Sequence, residues 1–394
     1  MNQLAIMNFE NTKIAFSPKS NNDLKQAYFL FSSMKSPSLV KFGTSCINLA
    51  LKLHLPIEGI IRKTLFRQFC GGVSITDSQS TIETLGKFGV GTILDYSVEG
   101  ADSKESHKHT VEEVLRTIAL AKDNDHMPFC VFKPTGIGSA TLMEKIQLKE
   151  PLTEAEREEF QEIRNNFDRI CTKAHDNDVR LFIDAEDSWY QEPIDMLVYE
   201  MMEKHNRKKA IVFNTFQMYR TNMLERLSEA VSKAEKDGYY FGAKLVRGAY
   251  MEKERERAEE KGYADPIMPN HEATNKQFDD GIRLCFEHRD FVSVACCSHN
   301  ESSNKLLAGL IEENDLSQTD PRFYFAQLYG MSDHISYNLA EAGFNVAKYV
   351  PYGPVRETMP YLFRRAEENT SVAGQTGREL KLIQQELKRR KNEK

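Results

Sequence analysis

The chain has 394 residues, 40% of them hydrophobic, enough to bury a large core in one big domain with an extension or in two domains. A net charge of −6 and an isoelectric point near 6.0 exclude the broad basic surface that nucleic-acid phosphates require, so no nucleic-acid partner is expected. The seven cysteines are odd in number and contain no CxxC pair, which points to free thiols in a reducing compartment.

The first thirty residues hold Glu10 and Asp23, no arginine, and no uninterrupted apolar run of signal-peptide length. Neither a secretory nor a mitochondrial address is expected; the expected location is cytoplasmic, peripheral at most on the inner face of a bacterial inner membrane. Nothing in the chain approaches the roughly eighteen consecutive apolar residues that a membrane span needs. Residues 1–85 read as a helical extension, with turn signals at Ser17-Pro18, Ser36-Pro37 and Gly71-Gly72. Within it, Leu39 to Phe69 mixes apolar residues with Lys41, Lys52, Arg62, Lys63 and Arg67 against the single acid Glu58. Such a stretch suits an anionic membrane surface, and it equally suits a helix pair packed on the main domain.

From Val90 onward, short apolar β-rich runs alternate with charged stretches of helical period. The runs are Val90–Ser97, Pro128–Thr135, Val179–Glu186, Ala210–Gln217, Tyr240–Tyr250, Phe291–Asn300, Phe323–Gly330 and Asn345–Gly353. Helices are expected between them, among them Glu154–His175, Met218–Lys236 and Asn300–Glu313. Eight such units over 86–394 predict an α/β chain folded as a (β/α)8 TIM-type barrel with C-terminal helices, because parallel strands buried on both faces each need an intervening helix. The alternative is a doubly wound open sheet, which lacks the support of a GxGxxG after its first strand.

Barrel active sites lie at the C-terminal strand ends. Here those ends carry Asp95, Lys133, Asp184 with Glu186, Asn214 with Gln217, Arg247 with Tyr250, Ser298 with His299 and Asn300, Gln327 and Tyr349. Asp95, Asp184, Glu186 and His299 have metal-ligating chemistry, but Lys133, Lys244 and Arg247 aim cations at the same mouth, so an anionic ligand is expected and no metal. Late in the chain, YLFRRAEEN places Arg364 and Arg365 beside Glu368, which is four residues after one and three after the other and near enough to orient both. Together these residues make a small-anion clamp or a solvated, salt-bridged helix face.

The runs DYSVEG (95–100), DAE (184–186), FNTFQMY (213–219), KLVRGAYMEKER (244–255), YADPI (263–267), SHN (298–300), QLYGM (327–331) and KYVPYGPV…YLFRRAEENTS (348–371) resemble, in order, the proline dehydrogenase family, and its stand-alone eukaryotic-type branch in particular. The resemblance covers residues 86 to about 387. It implies a distorted (β/α)8 barrel holding FAD and oxidising L-proline to Δ1-pyrroline-5-carboxylate, with electrons passed to a membrane quinone and the product taken by a separate pyrroline-5-carboxylate dehydrogenase. By the same resemblance Asp184 and Lys244 are the catalytic positions, and Lys133, Tyr349, Arg364 and Arg365 bind substrate. Ala185, Asn214, Lys244, Arg247, Gly248, Ala249, Ser298 and His299 hold FAD. Many bacterial members have Gln at position 214 and Arg at 244, where this chain has Asn and Lys. Asp184 is either a proton handler or an acceptor that orients Lys133 or Tyr349. The bulk of Tyr349 favours proline over its 4-hydroxyl derivative. Hydroxyproline dehydrogenase of the same fold, or a catalytically silent barrel that merely binds proline or a partner, are the competing readings.

Overall fold

The computed structural model describes residues 7–53, 55–98, 103–371 and 375–393. Its eight strands are β1 (Val90–Tyr96), β2 (Phe129–Phe132), β3 (Arg180–Ile183), β4 (Val212–Gln217), β5 (Phe241–Val246), β6 (Val292–Cys297), β7 (Phe323–Leu328) and β8 (Val346–Tyr352). Each falls inside one of the eight apolar runs. The sheet order β1-β8-β7-β6-β5-β4-β3-β2, with parallel pairing along the ladders, makes a nearly closed (β/α)8 barrel. The strands lack polar/apolar alternation for a physical reason: β2, β4 and β8 are buried along their whole length, one face lying on helices and the other inside the barrel.

The chain divides into two compact units, residues 101–326 and residues 1–100 with 327–394. In the first, aromatic rings fill the barrel interior. Phe129 stacks on Phe182 at 4.1 Å between centroids, and Phe213 and Tyr324 meet Phe129 edge-on at 5.3 and 4.8 Å. The outer helices follow from local signals. Thr153 and Glu156 form a reciprocal cap that starts Glu154–Asp176, and Ile163, Phe167, Ile170 and Ala174 recur along its buried stripe. Asn300, expected as the first helical residue, is instead the cap of Glu301–Glu313, its Oδ1 accepting from Ser303 N. The helix expected from Met218 begins five residues later, at Met223. The chain turns instead after Gln217: the backbone N–H groups of Met218 and Tyr219 donate to the carbonyls of Val246 and Arg247, Arg220 N–H closes a turn on the Gln217 carbonyl, and Arg220 bridges Ile267.

In the second unit, N-terminal and C-terminal helices share one core of Phe16, Leu24, Phe31, Phe66, Phe69, Leu362, Leu382 and Ile383. A buried charge cluster accompanies it. Asp333 lies 2.9 Å from both Lys19 and Lys348, and these two ammonium groups hold its carboxyl down at about 2 against the effect of burial.

Candidate active site

In the unit of residues 101–326 the site is built from consecutive strand ends. At the end of β3, Asp184 still donates its backbone N–H to Phe132, which fixes its position, and its carboxylate receives Lys244 Nζ at 2.5 Å. Lys244 is the middle of β5, and the side chains of the pair are only 6% and 14% exposed. The ammonium also lies 5.2 Å from the centre of the Phe182 ring. Each of these buried groups finds its partner in the other, so Asp184 serves here as the acceptor that holds Lys244.

Two residues on from Asp184, Glu186 is buried, and its Oε1 accepts from the backbone N–H and the hydroxyl of Thr135 at 3.1 and 2.6 Å. Burial pushes its carboxyl up to about 7, with the Thr135 bonds and the positive charge of half-buried Lys133 offsetting part of the rise. Glu186 stood among the polar strand ends in the sequence only for its metal-ligating chemistry; its near-neutral titration comes from burial, which no motif encodes. Ala185, between the two acids, borders a small polar cavity with Thr215, Gln217 and Arg220.

Asn214 turns the other way. Its amide donates to Asp195 Oδ1 at 3.0 Å, toward helix Gln191–His205, while its neighbour Thr215 pairs in register with Lys244 and Gln217 donates to the Glu186 carbonyl at 2.6 Å.

Beyond β5, Arg247 donates through Nε to Asn275 at 2.8 Å, through Nη1 to Ser298 at 2.6 Å and through Nη2 to Ser303 at 3.0 Å. Of the five guanidinium N–H groups, these bonds leave one on each Nη without a partner among the described residues. Gly248 has φ +130°, and a Cβ there would sit 2.5 Å from the Tyr219 ring, so the glycine is required by conformation and by Tyr219 alike. Ala249 beside it is exposed, and His299 follows the Ser298 hydroxyl half-buried. A buried lysine, an arginine with N–H groups to spare and neighbouring hydroxyls form a donor set that suits an anionic cofactor.

In the other unit, Tyr349 lies in β8, 9% exposed. Arg364 and Arg365 lie on helix Met359–Ser371, the first half-buried and the second buried. Glu368 accepts from Arg365 Nη2 at 2.5 Å, and the Arg365 guanidinium lies 5.1 Å from the Tyr361 ring. The solvated helix face that RR…E permits does not describe a buried arginine.

A nearly closed (β/α)8 barrel whose strand ends carry buried, paired charges defines a barrel enzyme. The chain belongs to the proline dehydrogenase family, whose model matches residues 78–378, and it is an oxidoreductase of that family. It is 32% identical over 429 residues to the mitochondrial proline dehydrogenase 1 of Dictyostelium discoideum, covering 96% of this chain and 74% of that one. It is 36% identical over 363 residues to that of Caenorhabditis elegans, covering 87% of this chain and 56% of that one. Among solved structures, proline utilization A from Bdellovibrio bacteriovorus, inactivated by N-propargylglycine, superposes with a TM-score of 0.72 at 19% identity. That match covers 93% of this chain and 38% of that protein, a likeness of fold.

These relatives correct one expectation. The composition of the first thirty residues suggested a cytoplasmic location, on the inner face of a bacterial inner membrane at most, yet the matched proline dehydrogenases of Dictyostelium and C. elegans are mitochondrial. The reason lies in what those residues are. Ala15 and Phe16 are buried and Ser20 caps helix Asn21–Met34, whose Leu24 and Ala27 are buried too, so the composition of these residues reports on a folded core.

Proposed function

We propose that the chain oxidises L-proline to Δ1-pyrroline-5-carboxylate with FAD as cofactor and a membrane quinone as final electron acceptor. The observation that carries this reading is the buried Lys244–Asp184 pair in a chain of this family. Lys244, Arg247, Gly248, Ala249, Ser298 and His299 would hold the cofactor, with Ala185 beside it; Asn214 supports the same wall through Asp195. When bound, FAD supplies a two-electron acceptor for the hydride on the ring carbon next to nitrogen. The protein supplies charge and position. Lys244, held in place by its ion pair with Asp184, offers a positive charge where negative charge develops. Arg364 and Arg365 are assigned to the proline carboxylate, which paired guanidinium groups would hold in one pose. Glu368 sets the guanidinium of Arg365 for that task.

The quinone half of the proposal has its own support. No helix among the described residues is long and apolar enough to cross a membrane. Helix Pro37–Lys52 instead has no buried residue: Leu39, Phe42 and Leu49, with Leu53 just beyond it, are 52%, 69%, 58% and 62% exposed. Val40, Ile47 and Leu51 pack against the core, so the opposite face is left apolar beside exposed Lys41 and Lys52. That distribution suits a helix lying in a bilayer surface. Phe42→Asp with Leu49→Asp is expected to release the protein from anionic vesicles while proline turnover with a soluble acceptor persists; unchanged vesicle binding would remove this part. The reaction itself is tested by incubating purified protein with FAD, L-proline and an artificial acceptor and trapping the pyrroline product, whose absence would overturn the reading.

A further inference from the structure

Around the guanidinium of Arg247, Ser298 belongs to the SHN run, while three further residues lie outside the runs that carry the family resemblance. Helix His271–Glu287 supplies Asn275, whose Oδ1 accepts from Nε at 2.8 Å, and Phe278, whose ring centre lies 4.3 Å from Cζ. Helix Glu301–Glu313 supplies Ser303, which accepts from Nη2 at 3.0 Å and is 1% exposed. Ser303 Oγ in turn donates to Asp279 Oδ1 at 2.5 Å. A serine hydroxyl has one hydrogen, and once Asp279 takes it the oxygen can present only lone pairs to Arg247. The Ser303 backbone is fixed as well, its N–H donating to Asn300.

We propose that Ser303 and Asp279 are positioning residues that fix the plane of Arg247, so that its two remaining N–H groups point at the anionic part of the flavin cofactor. This inference rests on the flavin reading given above. The acid acts through the hydroxyl: without it the Ser303 hydrogen can rotate toward the guanidinium, where two donors would face each other. Asn275 and Ser298 hold the other edges of the group, so loss of Ser303 or Asp279 frees one corner of Arg247 and leaves the fold around it in place.

The test measures FAD dissociation from the holoenzyme by flavin fluorescence on dilution. Ser303→Ala and Asp279→Ala are each expected to raise the FAD dissociation constant about tenfold, the effect of one charge-assisted hydrogen bond. The double variant is expected to match the single ones, because the two residues form one chain of contacts. Asp279→Asn, which keeps an acceptor for the Ser303 hydroxyl, is expected to stay within about twofold of wild type. At saturating FAD, the KM for proline is expected to be unchanged in all of them. FAD affinity equal to wild type in both alanine variants would overturn the positioning role and leave the flavin reading intact. A wild-type protein that binds no FAD would overturn both.

Discussion

Glu186→Gln isolates the energetic consequence of one buried carboxyl. In wild type, Glu186 is 5% exposed and its carboxyl is raised from 4.5 to about 7 by burial. A carboxyl that holds its proton more tightly folded than unfolded binds more protons in the native state between those two values. Its contribution therefore falls as pH rises from 4.5 toward about 7 and is level above. A shift of roughly 2.5 units at about 1.4 kcal/mol per unit corresponds to roughly 3 kcal/mol. Glutamine keeps a carbonyl for the Thr135 N–H and hydroxyl and abolishes the titration. In urea unfolding followed by circular dichroism, the variant is expected to gain about 2–3 kcal/mol on wild type between about pH 5 and about pH 8. A difference between the two proteins that is the same at both pH values would refute the assignment of a buried, proton-holding Glu186.

Arg364→Met and Arg365→Met are each expected to raise the KM for proline by about tenfold to a hundredfold with flavin retained, the loss of a charge-assisted bond to the carboxylate; unchanged proline kinetics in both would remove the clamp. Lys244→Met leaves the Asp184 carboxylate buried without its cation, at a cost of about 3–5 kcal/mol, so adding Asp184→Asn to it is expected to restore part of the thermal midpoint. A double variant less stable than Lys244→Met would contradict that pairing. Tyr349→Ser is expected to raise turnover of 4-hydroxyproline relative to proline by about tenfold, measured as the ratio of kcat/KM values, and an unmoved ratio would take Tyr349 out of substrate selection.

Much of the barrel was legible because strands buried on both faces leave continuous apolar runs, and all eight are where those runs lie. The late start of the helix at Met223 was not, since Met218 to Asn222 have ordinary helical composition and are held in turns, with Met218 and Tyr219 N–H tied to the carbonyls of Val246 and Arg247. The site was legible in its residue types and only partly in its connections. Lys244 and Asp184 both stood out, yet their pairing depends on two strands sixty residues apart. Asn214 and Thr215 are adjacent polar residues in a strand buried on both faces, so nothing in FNTFQ tells which one faces helix Gln191–His205. Asn275, Asp279 and Ser303 read as ordinary polar helix residues until the fold brings them around Arg247.

The central claim is that this barrel carries a flavin that proline reduces. The most direct measurement is the visible spectrum of the purified protein, supplied with FAD and held without oxygen, before and after addition of L-proline. The account predicts a yellow protein whose flavin band bleaches on adding proline and returns when a quinone is supplied. A protein that takes up no flavin, or whose band L-proline leaves unchanged, would contradict it.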